Sequence, residues 1–356
     1  MQPPRLLQQE VRVSGTSANR IRDLGLPLIE GPGSKTTSPS EQWSRGVRDY
    51  IQIARPDHWI KNVVVLPGFA AGFALVPHAS LSAATLASLA VALVAICLSV
   101  SANYTINEYL DGQFDRHHPL KHTRPGARGV LDGRLVGVEY ALLVAAALLI
   151  AQRIDTPFLG CILWLLLMGV VYNVRPLRAK DRPYLDVLTE SVNNPIRFLL
   201  GWFVVTPYMI PPASALLAYW MGGAFLMAVK RFSEFRRIGD PARAALYRRS
   251  FASYSETSLL LSLFFFAICS AFFAGVFLIK YRASLVLTFP LFAALFTWYL
   301  AIGLLRDSAA QQPEKLYRET GLIVLSGFTF VFTVLLCVVD LPGLSALTET
   351  QLVRLF

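Results

Sequence analysis

Charge is scarce in this 356-residue chain: 16% of its residues are Asp, Glu, Lys or Arg, against 54% hydrophobic. Soluble proteins average about 25% charged residues, so the composition argues against a water-soluble domain. Cysteine is rarer still, with four residues, Cys97, Cys161, Cys269 and Cys337. All four fall inside apolar runs and no two share a close spacing. They read as small core residues, not as a disulfide framework or thiolate metal ligands. No apolar run precedes residue 50, so no signal peptide is expected. Residues 1–45 are rich in Arg, Gly, Ser, Pro and Gln, the composition of a disordered tail. Arg5, Arg12, Arg20 and Arg22 offer that tail contacts to anionic lipid, although a plainly solvated tail is the simpler reading.

What the chain has in quantity is long apolar runs, each able to cross a hydrocarbon layer of about 30 Å. Segments 62–80, 83–106, 137–154, 158–174, 185–206, 213–230, 257–279, 284–305 and 319–339 predict an all-α integral membrane bundle of nine helices. The fifth is the least regular, because it carries Glu190, Asn193, Asn194, Pro195 and Arg197. The organisation expected is a tail over 1–47, a membrane domain over 48–340 and a short C-terminal tail over 341–356. The net charge is +10, and 28 of the 33 Lys and Arg lie in segments 1–61, 107–136, 175–184, 230–253 and 306–318. This alternation is the positive-inside pattern, not a nucleic-acid surface. It places the N-terminus and every motif below on the cytoplasmic face of the inner (plasma) membrane. The two longest internal loops follow the second and sixth helices, a spacing that suits two half-bundles facing a shared cavity.

Chemistry concentrates at those loops. Asn107, Asp111 and Asp115 follow the second span at intervals of four, which on a helix is about 400°, so the three share one face. Glu108 lies beside them. Oxygen side chains on one face at a membrane surface suit a hard cation such as Mg²⁺ holding a phosphate. Carboxylates at a helix C-terminus also oppose the macrodipole, so an ordinary acidic cap is a poor account of them. The basic run that follows contains Lys121 and Arg124 between two prolines, a loop whose cations make sense if an anion bridges them to the acids. His117, His118 and His122 are irregularly spaced among hard oxygen donors, which argues against zinc. Three further segments carry candidates. Before the first span stand Lys61 and Asn62, with Arg55, His58 and Trp59, where an interfacial anchor is the competing reading. After the fourth span come Tyr172, Arg178, Lys180 and Asp186, then Glu190 and Arg197, two turns apart and able to bracket a headgroup. Where the sixth helix leaves the membrane, Lys230, Glu234 and Arg237 share a face, with Arg231 adjacent and Arg248, Arg249, Tyr254 and Glu256 beyond. That basic face reads either as a phosphate grip or as snorkelling cations.

Together these motifs resemble the UbiA superfamily of intramembrane transferases over about residues 48–339. The resemblance implies nine helices, a lateral opening to lipid and Mg²⁺-dependent activity on polyprenyl phosphates or diphosphates. The family motif Asn-Asp-x-x-Asp-x-x-x-Asp is matched by Asn107, Asp111 and Asp115, with Glu108 in place of the first Asp. These four are the implied metal ligands, and Asp111, Asp115, Lys121 and Arg124 the implied catalytic set. Ordinary members carry a second acidic cluster after the sixth helix, where this chain has Lys230, Arg231 and Glu234. That departure, with Arg-Pro-x-x-Trp-x-Lys-Asn at 55–62 and His-Pro-x-Lys-x-x-Arg-Pro at 118–125, is similar to the decaprenyl-phosphate 5-phosphoribosyltransferase branch. The branch implies phosphoribose transfer from phosphoribosyl diphosphate to a polyprenyl phosphate, feeding cell-envelope lipid synthesis. Segments 172–186 and 190–197 look closer to general prenyltransferases, so transfer of a polyprenyl group from its diphosphate to an aromatic or other small acceptor is the alternative. Homo-oligomerisation is compatible with either.

Overall fold

The computed structural model describes residues 39–118, 121–281, 283–305, 308–311, 316, 318–339 and 341. Segments 1–38 and 342–356 of the expected tails, Pro119 and Leu120 of the basic loop, and the side chain of Cys337 lie outside the described residues. The chain divides into a unit Met1–Arg45 and a unit Gly46–Phe356, the second of which carries the apolar helices. The helices are α1 (Pro39–Ile53), α2 (Leu66–Leu75), α3 (Ala83–Asp115), α4 (Pro125–Arg128), α5 (Gly133–Ala151), α6 (Thr156–Asn173) and α7 (Leu185–Ser191). They continue with α8 (Asn193–Val205), α9 (Ala213–Ile238), α10 (Pro241–Tyr247), α11 (Glu256–Tyr281), α12 (Phe289–Leu304) and α13 (Thr320–Val338). No strand occurs among the described residues.

The expected all-helical membrane bundle is what the chain forms, and it is an integral membrane protein. Seven helical stretches among the described residues are long and apolar enough to cross a bilayer, two fewer than the nine expected. The segment expected as a fifth span breaks at Val192 into α7 and α8. Pro195 explains the break: it has no N–H to donate, and its ring collides with the carbonyl four residues back, at Ser191. The last expected span is α13, of 19 residues, apolar over Thr320–Leu336 among the described residues. α1 overlaps the expected tail over residues 39–47.

α3 has 33 residues and so runs about 50 Å, well beyond the hydrocarbon thickness. Ser82 caps its start by accepting from the Thr85 amide, and its last turns carry the Asn107–Asp115 face out of the apolar zone. One apolar core joins α3, α6 and α8 through Ile96, Phe158, Leu165, Ile196 and Leu200. A second joins α9, α11 and α12 through Phe225, Phe232, Leu263, Phe266 and Ile302. α2 and α8 approach so closely that a Cβ on Gly68 would meet the Phe198 carbonyl oxygen at 1.9 Å, and one on Gly201 the Val65 carbonyl oxygen at 2.2 Å. On the outside, Leu135, Val138, Leu142 and Leu149 of α5 and Leu261, Phe264, Phe265 and Phe272 of α11 are exposed, as lipid-facing positions must be.

Candidate active site

The polar residues predicted from the sequence gather where the ends of α3, α7 and α9 meet the loop 174–184 and the segment around α10. They form three linked groups. The first is built on α3. Asp111 Oδ1 accepts from Arg178 Nη2 at 2.9 Å and also pairs with Lys180. The Lys180 ammonium donates to Asn107 Oδ1 at 3.0 Å and to Asn173 Oδ1 at 2.7 Å, so three side-chain oxygens surround one cation. Arg178 is held in turn by Asp181 (3.1 Å) and by the Asn173 carbonyl (2.9 Å). Burial pushes the Lys180 ammonium down to about 8, against the opposing pull of Asp111.

The other members of the acidic face are directed elsewhere. Asp115 Oδ2 accepts from Arg124 Nη1 at 3.1 Å, and Arg124 precedes the short helix α4. Glu108 faces Arg55, 3.8 Å away. Asn107 and Asp111 therefore share a centre, while Asp115 pairs with Arg124 and Glu108 feels both Arg124 and Arg55. Lys121 reaches across to Glu234 at 3.4 Å and donates to the Tyr247 hydroxyl.

The second group centres on Arg231, which is 1% exposed. Its Nε lies 3.3 Å from Asp186, its Nη1 3.0 Å from Glu234, and its Nη2 contacts Glu190 and the Tyr172 hydroxyl. Asp186 also accepts from Ser250 Oγ (3.0 Å) and the Tyr254 hydroxyl (2.7 Å), with Arg248 at 3.7 Å. Burial and Asp186 together raise the Tyr254 phenol, which stays a donor. Lys230 approaches Glu190 at 3.8 Å and is more exposed than its neighbour. Three carboxylates close on one guanidinium, the arrangement that makes a buried charge tolerable. The sequence suggested that Arg231 and Lys230 grip a phosphate together. Here the guanidinium nitrogens of Arg231 face protein carboxylates, and Lys230 is the more exposed member of the pair.

The third group lies deeper. Asn62, 1% exposed, accepts from Arg197 Nε at 3.2 Å and approaches Cys97 Sγ at 3.2 Å. The break at Pro195 puts Glu190 and Arg197 on different helices, so they serve different groups instead of bracketing one headgroup. Lys61 contacts His58 at 3.2 Å on the 3-10 helix Pro56–Val65.

Sequence reasoning missed Asn173 and Tyr247 as site members, and named Arg248 only as lying beyond the sixth-helix face. Asn173 stood beside Tyr172 in a motif read for its charges, and an uncharged carboxamide carried no signal. Arg248 follows the seven-residue α10, with no periodicity to connect it to Tyr172, whose hydroxyl it reaches at 3.2 Å.

Among the described residues, no three His, Cys, Asp or Glu side chains group as a metal site would. The oxygen set around Lys180 nevertheless fits a hard cation, because all three members are oxygen donors, one of them a carboxylate, and a cation already sits among them. The chemistry that follows is electrostatic: a cluster of fixed cations, Lys180, Arg178 and Arg248, beside an oxygen cradle, suited to a polyanion and its counter-ion.

A family model described as the UbiA prenyltransferase family matches residues 64–339. The decaprenyl-phosphate phosphoribosyltransferase of Corynebacterium glutamicum is 30% identical over 242 residues, covering 64% of this chain and 65% of that protein. Its counterpart from Mycolicibacterium smegmatis is 30% identical over 221 residues, covering 60% of this chain and 64% of that protein. This chain thus spans just under two thirds of the length of these curated relatives. Among solved structures, a UbiA homolog from Archaeoglobus fulgidus bound to GPP and Mg²⁺ superposes with a TM-score of 0.61 at 20% identity, over 82% of this chain and 100% of that one.

Proposed function

This chain belongs to the UbiA prenyltransferase family, and from that premise we propose that it is a divalent-cation-dependent transferase that moves phosphoribose from phosphoribosyl diphosphate to a polyprenyl phosphate, at the cytoplasmic face of the inner membrane. The observation that carries this reading is the Arg231 group. With Arg231 and Arg248 among Asp186, Glu190 and Glu234, the acids on this side of the site are matched by fixed protein cations. The second acidic cluster that ordinary members carry after the sixth helix is thus replaced by a cation-matched group, the departure that resembles the phosphoribosyltransferase branch. The relatives named as decaprenyl-phosphate phosphoribosyltransferases support the same choice.

Asn107 and Asp111, with Asn173, are the residues that would hold Mg²⁺, which supplies charge neutralisation for the departing diphosphate. Lys180 and Arg178, which contact the same oxygens, and the nearby Arg248 would bind the diphosphate oxygens beside it. Lys121 and Arg124, tied to Glu234 and Asp115, set the floor of the site and orient the acid face. The bond from ribose C1 to the diphosphate breaks as a phosphate oxygen of the lipid bonds to C1. That nucleophile is already anionic, so no general base is needed. Burial of the reacting groups strengthens each of these charge contacts relative to water.

The test is incubation of the purified chain with labelled phosphoribosyl diphosphate and polyprenyl phosphate. Label entering the lipid fraction supports the proposal. Product formed only from an allylic diphosphate and an aromatic acceptor moves the chain to prenyl transfer, the chemistry implied by the names of more distant relatives such as protoheme IX farnesyltransferase.

A further inference from the structure

The donor proposed above differs from an allylic diphosphate in carrying a ribose, and the Lys180 cluster accounts only for its diphosphate. We propose that Glu190 and Lys230 are the specificity pair for that sugar: Glu190 Oε1 accepts from its vicinal hydroxyls and the Lys230 ammonium donates to them. The identity of the sugar rests on the transferase reading.

One half of the Glu190 carboxylate is fixed and the other is open. Glu190 lies near the end of α7, where Oε2 accepts from the Tyr172 hydroxyl at 2.7 Å and pairs with Arg231 Nη2. Those two contacts pin the plane of the carboxylate. Oε1 has the Lys230 ammonium at 3.8 Å, beyond hydrogen-bonding distance. Lys230, on α9, reaches no closer acceptor among the described residues. Its other acidic neighbour, Glu234, is taken by Arg231 at 3.0 Å and by Lys121 at 3.4 Å. Glu190 and Lys230 are also open where the residues around them are sealed. Their side chains are 28% and 18% exposed, against 1% for Arg231 and Glu234.

A carboxylate oxygen only accepts and an ammonium only donates, whereas a hydroxyl does both. Two neighbouring hydroxyls therefore satisfy both members of the pair at once. The charges of the pair cancel, so it favours a neutral polar group. A phosphate is repelled by Glu190, and a second divalent cation by Lys230. Tyr172 ties the pair to the diphosphate site, because Lys180 Nζ lies 5.7 Å from the centre of its ring and its hydroxyl end bonds Glu190. The sugar contact thus stands about one phenol ring away from the cations that hold the diphosphate, as suits hydroxyls on a ring joined to it through C1. A prenyl chain has no hydroxyl, and in its place would strip water from Oε1 and the ammonium without replacing it. That asymmetry is how a hydroxyl-binding site rejects an analogue lacking the group.

The experiment compares ligands that share a diphosphate. The full chain in nanodiscs, with a divalent cation, is titrated with phosphoribosyl diphosphate, inorganic diphosphate and geranyl diphosphate. The proteins are the wild type, Glu190→Gln, Lys230→Met and the donor-keeping Lys230→Arg. Phosphoribosyl diphosphate affinity is expected to fall about 10-fold or more in Glu190→Gln and Lys230→Met, with the other two ligands little changed and Lys230→Arg close to wild type. Wild-type affinity for phosphoribosyl diphosphate in Lys230→Met overturns the contact. So does an equal loss for all three ligands, which marks damage to the diphosphate site instead. Lys230→Met covers the case in which Glu190→Gln, which takes a carboxylate from Arg231, does not fold. Transfer of labelled phosphoribose by a chain whose variants keep wild-type donor affinity sinks the sugar contact and leaves the transferase reading standing. A selective loss of phosphoribosyl diphosphate binding in a chain that transfers no phosphoribose does the reverse.

Discussion

The Lys180 ammonium lies 2.7 Å from Asn173 Oδ1, inside an oxygen cradle completed by Asn107 and Asp111. A lysine from the loop after α6 thus occupies the position to which the α3 oxygens point. Two carboxamides and one carboxylate leave the cradle with little negative charge of its own, so it holds a cation without demanding one. Cation binding there is coupled to where Lys180 goes, and an incoming polyanion gives the ammonium a partner outside the cradle.

Removal of divalent cations is therefore expected to abolish turnover, and Asp111→Asn to lower it by two orders of magnitude or more. The fold should survive, because the substitution leaves Arg178 bonded to Asp181 and to the Asn173 carbonyl. Transfer assays with and without EDTA, alongside thermal unfolding in detergent, check both halves. Full activity in EDTA would remove the metal from the proposal.

Arg231 makes a contrasting prediction. Replacing it with Gln leaves Asp186, Glu190 and Glu234 close together with their shared cation gone. Breaking a buried ion pair in this way costs about 3–5 kcal/mol, so Arg231→Gln should lower the thermal midpoint strongly. Lys230→Gln, at a more exposed position 3.8 Å from Glu190, should be far milder for stability. A stable Arg231→Gln protein with only donor KM raised would return Arg231 to the role of phosphate ligand.

How much of this was legible beforehand depends on range. The α3 face was readable because four-residue spacing on one helix fixes geometry locally, and Asn107 and Asp111 do share a centre. Asp115 has the same spacing, yet Arg124 draws it away, and that partner comes from another segment. The apolar helices were legible from hydropathy, but the fate of segment 185–206 turned on Pro195. Its composition looked like one polar span, whereas the backbone chemistry of proline makes it two helices. Arg231 was visible only as a charge. That it serves three carboxylates on α7 and α9 is a fact of tertiary packing that no local pattern records.

Packing of α2 against α8 yields a paired comparison. A methyl at Gly201 meets backbone at 2.2 Å, whereas one at Gly160, on α6, meets nothing within 4 Å. Overpacking against backbone costs about 1–3 kcal/mol, and an exposed helical Gly→Ala change gains up to about 1 kcal/mol. Gly201→Ala should thus lower the thermal midpoint in detergent and Gly160→Ala leave it equal or higher. Equal effects in the two variants would contradict the close approach.

His118 sets a pH dependence of stability. It is 4% exposed and packs on the Tyr247 ring at 4.5 Å between centroids. Burial, reinforced by the nearby Lys121, pushes its imidazole down to about 3 from the ordinary 6.5. Between those values the unfolded chain binds a proton that the folded chain refuses, so this contribution is complete above pH 6.5 and is lost as pH falls toward 3. The slope is about 1.4 kcal/mol per pH unit, or about 2 kcal/mol between pH 6.5 and 5. His118→Gln, which cannot titrate, should flatten the decline of the thermal midpoint over that window while the carboxylate-driven loss below it persists. Thermal unfolding of both proteins in detergent at pH 7, 6 and 5 reads the difference, and parallel declines would show that His118 takes up its proton in the folded state.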